Sequence, residues 1–158
     1  MARESDKDYG IAWKRLHSAE VDMKARDIMF LLLHNKLPVK ERLFRIRLKP
    51  DPYCLTCARA EICDVTHFFC SCEAVSSTWS WLKMQVVGLG QMGPNVADWD
   101  ILNLFFPHSS RGRELIWLVS TYVLYVWETV YNKKKEVELD KFFGFLTFKF
   151  KMHQETLD

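Results

Sequence analysis

A mostly α fold is what this sequence predicts, and three observations predict it. Apolar residues recur at helical spacing in the first third, at Ala25, Ile28, Met29, Leu32 and Leu33. The last third consists of two apolar helical stretches broken by Lys133-Lys134-Lys135. Between these regions, Cys54-x2-Cys57-x9-His67-x4-Cys72 has metal-ligand spacing. The expected architecture is therefore a small helical domain stapled by a structural Cys-Cys-His-Cys zinc site.

In order along the chain, residues 1–10 are polar and read as a flexible tail. The periodic segment that follows has Asp22 as its cap and His34-Asn35 as its end, and Leu37-Pro38 then stops the helix. A second helix is expected over 39–47, with Leu43, Phe44 and Ile46 inward and Lys40, Arg42, Arg45 and Arg47 outward. In Lys49-Pro50-Asp51-Pro52 the residue before each proline is pushed to extended geometry, which delivers the chain to Cys54 as a strand-like segment. After the cluster, a helix over 73–84 carries Val75, Trp79 and Leu82 on one side, and glycines 88, 90 and 93 with Pro94 mark a connector. A short helix at 96–104, a loop at 107–110, a helix at 111–131 that is apolar nearly all round, and a helix at 136–151 complete the chain. The expected organisation is a tail at 1–10, a zinc-binding domain at 11–86, a connector with a short helix at 87–110, and a helical hairpin at 111–158 packed on or next to the zinc domain.

Composition bounds what such a chain can do. At 158 residues and 49% hydrophobic, one compact domain with a real core is the expectation. Net charge is only +2, yet residues 1–50 hold 12 basic and 7 acidic side chains, so positive charge is front-loaded. The five cysteines are odd in number and all lie from Cys54 to Cys72, while the opening MARESDKDYG has no apolar signal core. Reduced thiols and an intracellular location, nuclear and/or cytoplasmic, are expected rather than secretion. The apolar run 115–127 is shorter than the roughly 20 residues a membrane span requires, so no membrane association is expected.

Two cysteines separated by two residues form a turn that points both sulfurs at one ion, and zinc takes four tetrahedral thiolate or imidazole ligands. Cys54 and Cys57 supply the first pair, and His67 and Cys72 the second. Cys63 and Cys70 are spare thiols in the same segment, and His67-x2-Cys70 is an alternative second pair. Four filled positions leave no open site for water, which points to one structural Zn2+ per chain and away from Lewis-acid chemistry.

Around the cluster stand Trp13-Lys14-Arg15-Leu16, the helix at 25–34, Leu37-Pro38-Val39-Lys40-Glu41-Arg42-Leu43, Pro50-Asp51-Pro52-Tyr53-Cys54-x2-Cys57, His67-Phe68-Phe69-x2-Cys72 and Trp79. Together they resemble the zinc-binding domain that follows the reverse transcriptase in LINE-type (non-LTR) retrotransposon polyproteins. The likeness covers about residues 13–82, and the apolar helix at 117–127 is similar to the polyprotein's C-terminal end. The resemblance implies Cys54, Cys57, His67 and Cys72 as ligands, and an accessory role in engaging element RNA or target DNA. It also implies a polyprotein fragment or a host-domesticated derivative, since the polymerase's Asp-Asp pair is absent from these residues.

Three function classes compete. In the first, Lys36, Lys40, Arg42, Arg45, Arg47 and Lys49 form a face that contacts RNA or DNA phosphates, opposed only by Glu41. In the second, the apolar C-terminal helices serve a protein partner or self-association, with Trp117, Tyr122, Tyr125 and Trp127 as candidate interface residues against the plainer reading that they are core. In the third, Lys49-Pro50-Asp51 with Asp64 resembles a restriction-like nuclease pattern, although these residues interleave with the zinc ligands instead of following them. His17, His34, His108 and His153 have no linked nucleophile or carboxylate. The expectation is a non-enzyme without a small-molecule substrate.

Overall fold

The computed structural model describes residues 6–57, 59–90, 92–105 and 111–157, and it is mostly helical, with no strand among these residues. Seven α-helices follow in order: α1 (Asp6–Ser18), α2 (Met23–Leu33), α3 (Lys40–Arg45), α4 (Ser76–Gly90), α5 (Asp98–Leu102), α6 (Gly112–Val126) and α7 (Leu139–Leu157). Two π-helical segments, His67–Ser71 and Trp127–Asn132, form the turn from His67 to Cys72 and the exit from α6.

The apolar character of α6 on nearly every side is explained by its position. It contacts α1, α2, α4 and α7, so Leu115, Val119, Tyr122, Val123 and Val126 are buried in different directions. Against it stand Ala12 and Leu16 of α1, Ala25, Met29 and Leu32 of α2, and Trp79, Leu82 and Val86 of α4. The buried cluster is continuous from Ala12 to Phe142.

Helix ends follow local chemistry. The Asp22 carboxylate accepts a hydrogen bond from the Lys24 N–H at 2.9 Å and caps α2. After His34, Asn35 takes φ of 55°, and the Lys36 N–H closes onto the Leu31 carbonyl at 2.7 Å. Asp22 also meets the Lys149 ammonium at 2.9 Å, which ties the start of α2 to α7. Burial pushes its carboxyl up, but the hydrogen bonds from Lys149 and Lys24 outweigh this and hold it below the ordinary 3.8. A group with a depressed folded pKa stabilises the fold above its unfolded value and loses that contribution as pH falls through the folded one. Asp22→Ala is thus expected to cost about 1 kcal/mol at neutral pH. Urea unfolding of the two proteins should converge below pH 3.8.

Three expectations need correction. Helix α1 opens at Asp6, inside the stretch expected to be a tail. Helix α4 continues through Gly88 to Gly90, so the glycines begin no connector at 87. A Cβ on Gly90 would stand 2.7 Å from Met92 Cε and 3.3 Å from Leu115 Cδ1, and the missing side chain is what lets α4 end against α6. Helix α3 stops at Arg45, and Phe44 and Ile46 face solvent rather than the core. There Arg47 turns to φ of 65°, the Leu48 N–H bonds the Leu43 carbonyl at 2.8 Å, and Leu37 and Val39 supply the core beneath. The loop expected at 107–110 lies outside the described residues.

Candidate metal centre

The chain reaches the first ligand as an extended arm. Its Asp51 carboxylate accepts the Tyr53 N–H at 3.1 Å and pairs with the Lys40 ammonium at 3.0 Å. Tyr53 and Ile62 then form an antiparallel bridge, the Cys54 N–H bonds the Glu61 carbonyl at 2.8 Å, and the Cys63 N–H bonds the Pro52 carbonyl at 2.9 Å. This short hairpin holds the turn from Cys54 to Cys57, while the Glu41 N–H, bonded to the Cys63 carbonyl at 3.0 Å, fixes it to α3.

The second pair depends on the π-helical turn. Residues five apart in an α-helix point about 140° away from each other. The wider π turn, in which the Cys72 N–H reaches the His67 carbonyl at 2.9 Å, brings the two side chains back to one side. Asp64 starts this turn by accepting the His67 N–H at 2.8 Å. Asp51 and Asp64 thus each hold a local turn of the metal-binding segment.

The ligand atoms of Cys54, Cys57, His67 and Cys72 all lie within 4.8 Å of one another. Cys54 Sγ and Cys72 Sγ are 3.8 Å apart, and Cys57 Sγ and His67 Nε2 are 3.5 Å apart. A tetrahedral zinc with bonds of about 2.3 Å to sulfur and 2.0–2.1 Å to nitrogen requires separations of roughly 3.8 Å and 3.6 Å. The donor set and these two separations therefore fit zinc. Glu61 Oε2 lies 3.3 Å from His67 Nδ1, which leaves Nε2 directed at the sulfurs.

Burial raises the Cys54 thiol, but the Thr56 and Cys57 N–H groups, joined by His67 and Cys72, overcome it and bring the pKa down to about 6. Burial, reinforced by the neighbouring Cys54 charge, pushes Cys72 up to about 12. Thiolate and imidazole ligands must shed their protons to bind a metal, so metal retention weakens on acidification. Cys63 and Cys70 are outside the four-atom cluster, and burial pushes both thiols strongly up, as suits packing residues.

The other predicted site residues divide. Lys36, Arg47 and Lys49 are exposed and Arg42 is half-buried, with no carboxylate partner for them among the described residues. Lys40 and Arg45 do not join them, because Lys40 is largely buried against Asp51 and Arg45 meets Glu41 at 3.5 Å. Tyr122 and Trp127 are core and not interface: Tyr122 is fully buried, with its hydroxyl donating to the Phe69 carbonyl at 2.5 Å, and Trp127 packs on Phe68 and Phe69. Trp117 and Tyr125 sit in the seam with α7, against Phe150 and against Phe142 and Phe145. Sequence reasoning missed Glu61, whose acidic character carries no spacing signal, and Tyr131 with Lys134, which reach the zinc loop from the other end of the chain.

Fold and site together define a helical domain stapled at a Cys3His centre. The family described as zinc-binding in reverse transcriptase matches residues 1–79, half of the chain, and the chain belongs to that family. No curated protein and no solved structure matches it. Among the described residues, no helix is long and apolar enough to cross a membrane.

Proposed function

We propose that this chain is a non-catalytic module from a LINE-type reverse transcriptase or from a gene derived from one. It holds one structural zinc and binds RNA or DNA through the basic face beside it. The observation that carries the binding role is the set Lys36, Arg42, Arg47 and Lys49, which has no acidic partner among the described residues and lies next to the hairpin that the zinc staples. Exposed Phe44, Ile46 and Leu48 alternate with Arg45, Arg47 and Lys49, a mixture that suits unstacked bases better than a duplex backbone. The linked motifs from Trp13 to Trp79 favour the LINE-type origin.

Fluorescence anisotropy with a labelled oligonucleotide tests this. The Arg42/Arg47/Lys49 triple alanine variant is expected to bind at least tenfold more weakly at low salt, with a logarithmic salt slope reduced by about 2. An unchanged slope, or no binding by the parent protein, refutes the role.

A second reading has its own observation. Helix α7 leaves Phe148, Phe150 and Met152 about half exposed, and such a face suits a protein partner or a second copy. If it self-associates, sedimentation should show a dimer that F148E/M152E dissociates. A parent that stays monomeric at high concentration removes the self-association form of this reading.

A further inference from the structure

The zinc loop does not meet the end of α6 flush. A cleft of about 170 Å³ separates them, walled by Leu43 from α3, Leu55 and Phe68 from the metal-binding segment, and Tyr131 from the second π-helical segment. Pockets for drug-sized ligands run from about 300 Å³ upward, so this one suits a smaller, flat group. Its lining is mostly apolar, but its rim is cationic.

Three lysines line the cleft, and they are not equivalent. Lys40 is neutralised by Asp51 at 3.0 Å. Lys49 and Lys134 have no carboxylate partner among the described residues. Lys134 lies over the Tyr131 ring at 5.0 Å, and Trp127 is stacked on the same ring at 4.1 Å with an interplanar angle of 13°. Tyr131 is thus held rigidly by Trp127 and covered by an exposed ammonium, and such exposed cation–π contacts are weak. An aromatic ring can displace the ammonium, which then stands beside whatever negative charge the ring brings with it.

We infer that this cleft receives one unstacked nucleobase of a single-stranded nucleic acid, its ring against Tyr131 and its flanking phosphates on Lys49 and Lys134. The inference rests on the proposed nucleic-acid role and adds to it a specific seat and a preference for single strands. A flat ring joined to anionic groups on either side is what an apolar slot between two unpaired cations selects. A base inside a duplex is already stacked and cannot enter.

The test uses the full zinc-loaded chain in reducing buffer with labelled oligo(U), oligo(dT) and a duplex of matched length. Single strands of at least one sugar type should bind more tightly than the duplex. Tyr131→Ala should weaken single-strand binding roughly tenfold or more, and Tyr131→Trp should retain it. Lys134 sits at φ of 57°, a conformation asparagine accepts, so Lys134→Asn removes the charge without straining the turn. It should lower the single-strand salt slope by about 0.7. A probe carrying 5-iodouracil should photocrosslink to the peptide that contains Tyr131. Equal binding of duplex and single strand, Tyr131→Ala affinity within twofold of the parent, or crosslinks confined to other peptides would overturn the seat. If the parent binds and a Lys36/Arg42/Arg47 triple alanine variant, whose three positions lie outside the cleft lining, does not, those outcomes remove the cleft alone. If the parent binds nothing at low salt, the nucleic-acid role falls together with it.

Discussion

Cys57→Ala is expected to yield a chain that neither retains zinc nor keeps its fixed aromatic packing in reducing buffer. The binding free energy of a structural zinc is on the order of 10 kcal/mol, comparable to the whole stability of a domain, about 5–15 kcal/mol. Losing one thiolate forfeits much of that and leaves His67 and Cys72 buried without their partner. The damage spreads because Phe68, Phe69 and Cys70 occupy the turn between those two ligands and are buried in the common core. Near-UV circular dichroism and zinc content per chain are the measurements. The control is Cys63→Ala, also buried but outside the cluster, which should keep zinc and lose only about 1 kcal/mol. A Cys57→Ala protein with wild-type melting, or a wild type indifferent to chelation, would refute the site.

The second large effect belongs to Tyr122. Its ring is fully enclosed on α6, between Trp79 at 5.4 Å and Phe142 at 5.6 Å, and its hydroxyl satisfies the Phe69 carbonyl. Tyr122→Ala is expected to cost about 3–5 kcal/mol from lost contacts and the cavity left behind. Tyr122→Phe keeps the ring and should cost about 1–3 kcal/mol, since it leaves a buried carbonyl without a donor. Because that carbonyl sits in the metal-binding turn, the Phe variant should also lose zinc to a chelator faster than the parent, as competition against a chromophoric chelator would show. Stability lost without any change in zinc release would mean that Tyr122 supports the core alone.

The ligands were legible because cysteine and histidine spacing records turn geometry directly. Helix α2 was legible for a similar reason: Asp22 and Asn35 bracket a period of apolar residues, and each has a local conformation its chemistry favours. What escaped depended on distant partners. Glycines 88 and 90 look like a break, but α4 runs on through them where it meets Leu115. The basic run looked uniform until Asp51 and Glu41 neutralised Lys40 and Arg45. Tyr122 and Trp127 offered apolar surface that could serve a partner equally well, and only the arrangement of α1, α2, α4 and α7 around α6 makes them interior. Tyr131 and Lys134 lie more than fifty positions beyond the zinc ligands, and no pattern in the chain pairs them with Lys49.

The central place of α6 bears on how such a module can be inherited. The family match ends at residue 79, yet the apolar sides of α1 and α2 within it close on a helix that begins at Gly112. A recombination point between the two would separate a recognisable motif from the piece that shields its interior. The segment that carries the family's signature is therefore shorter than the unit that closes its own core.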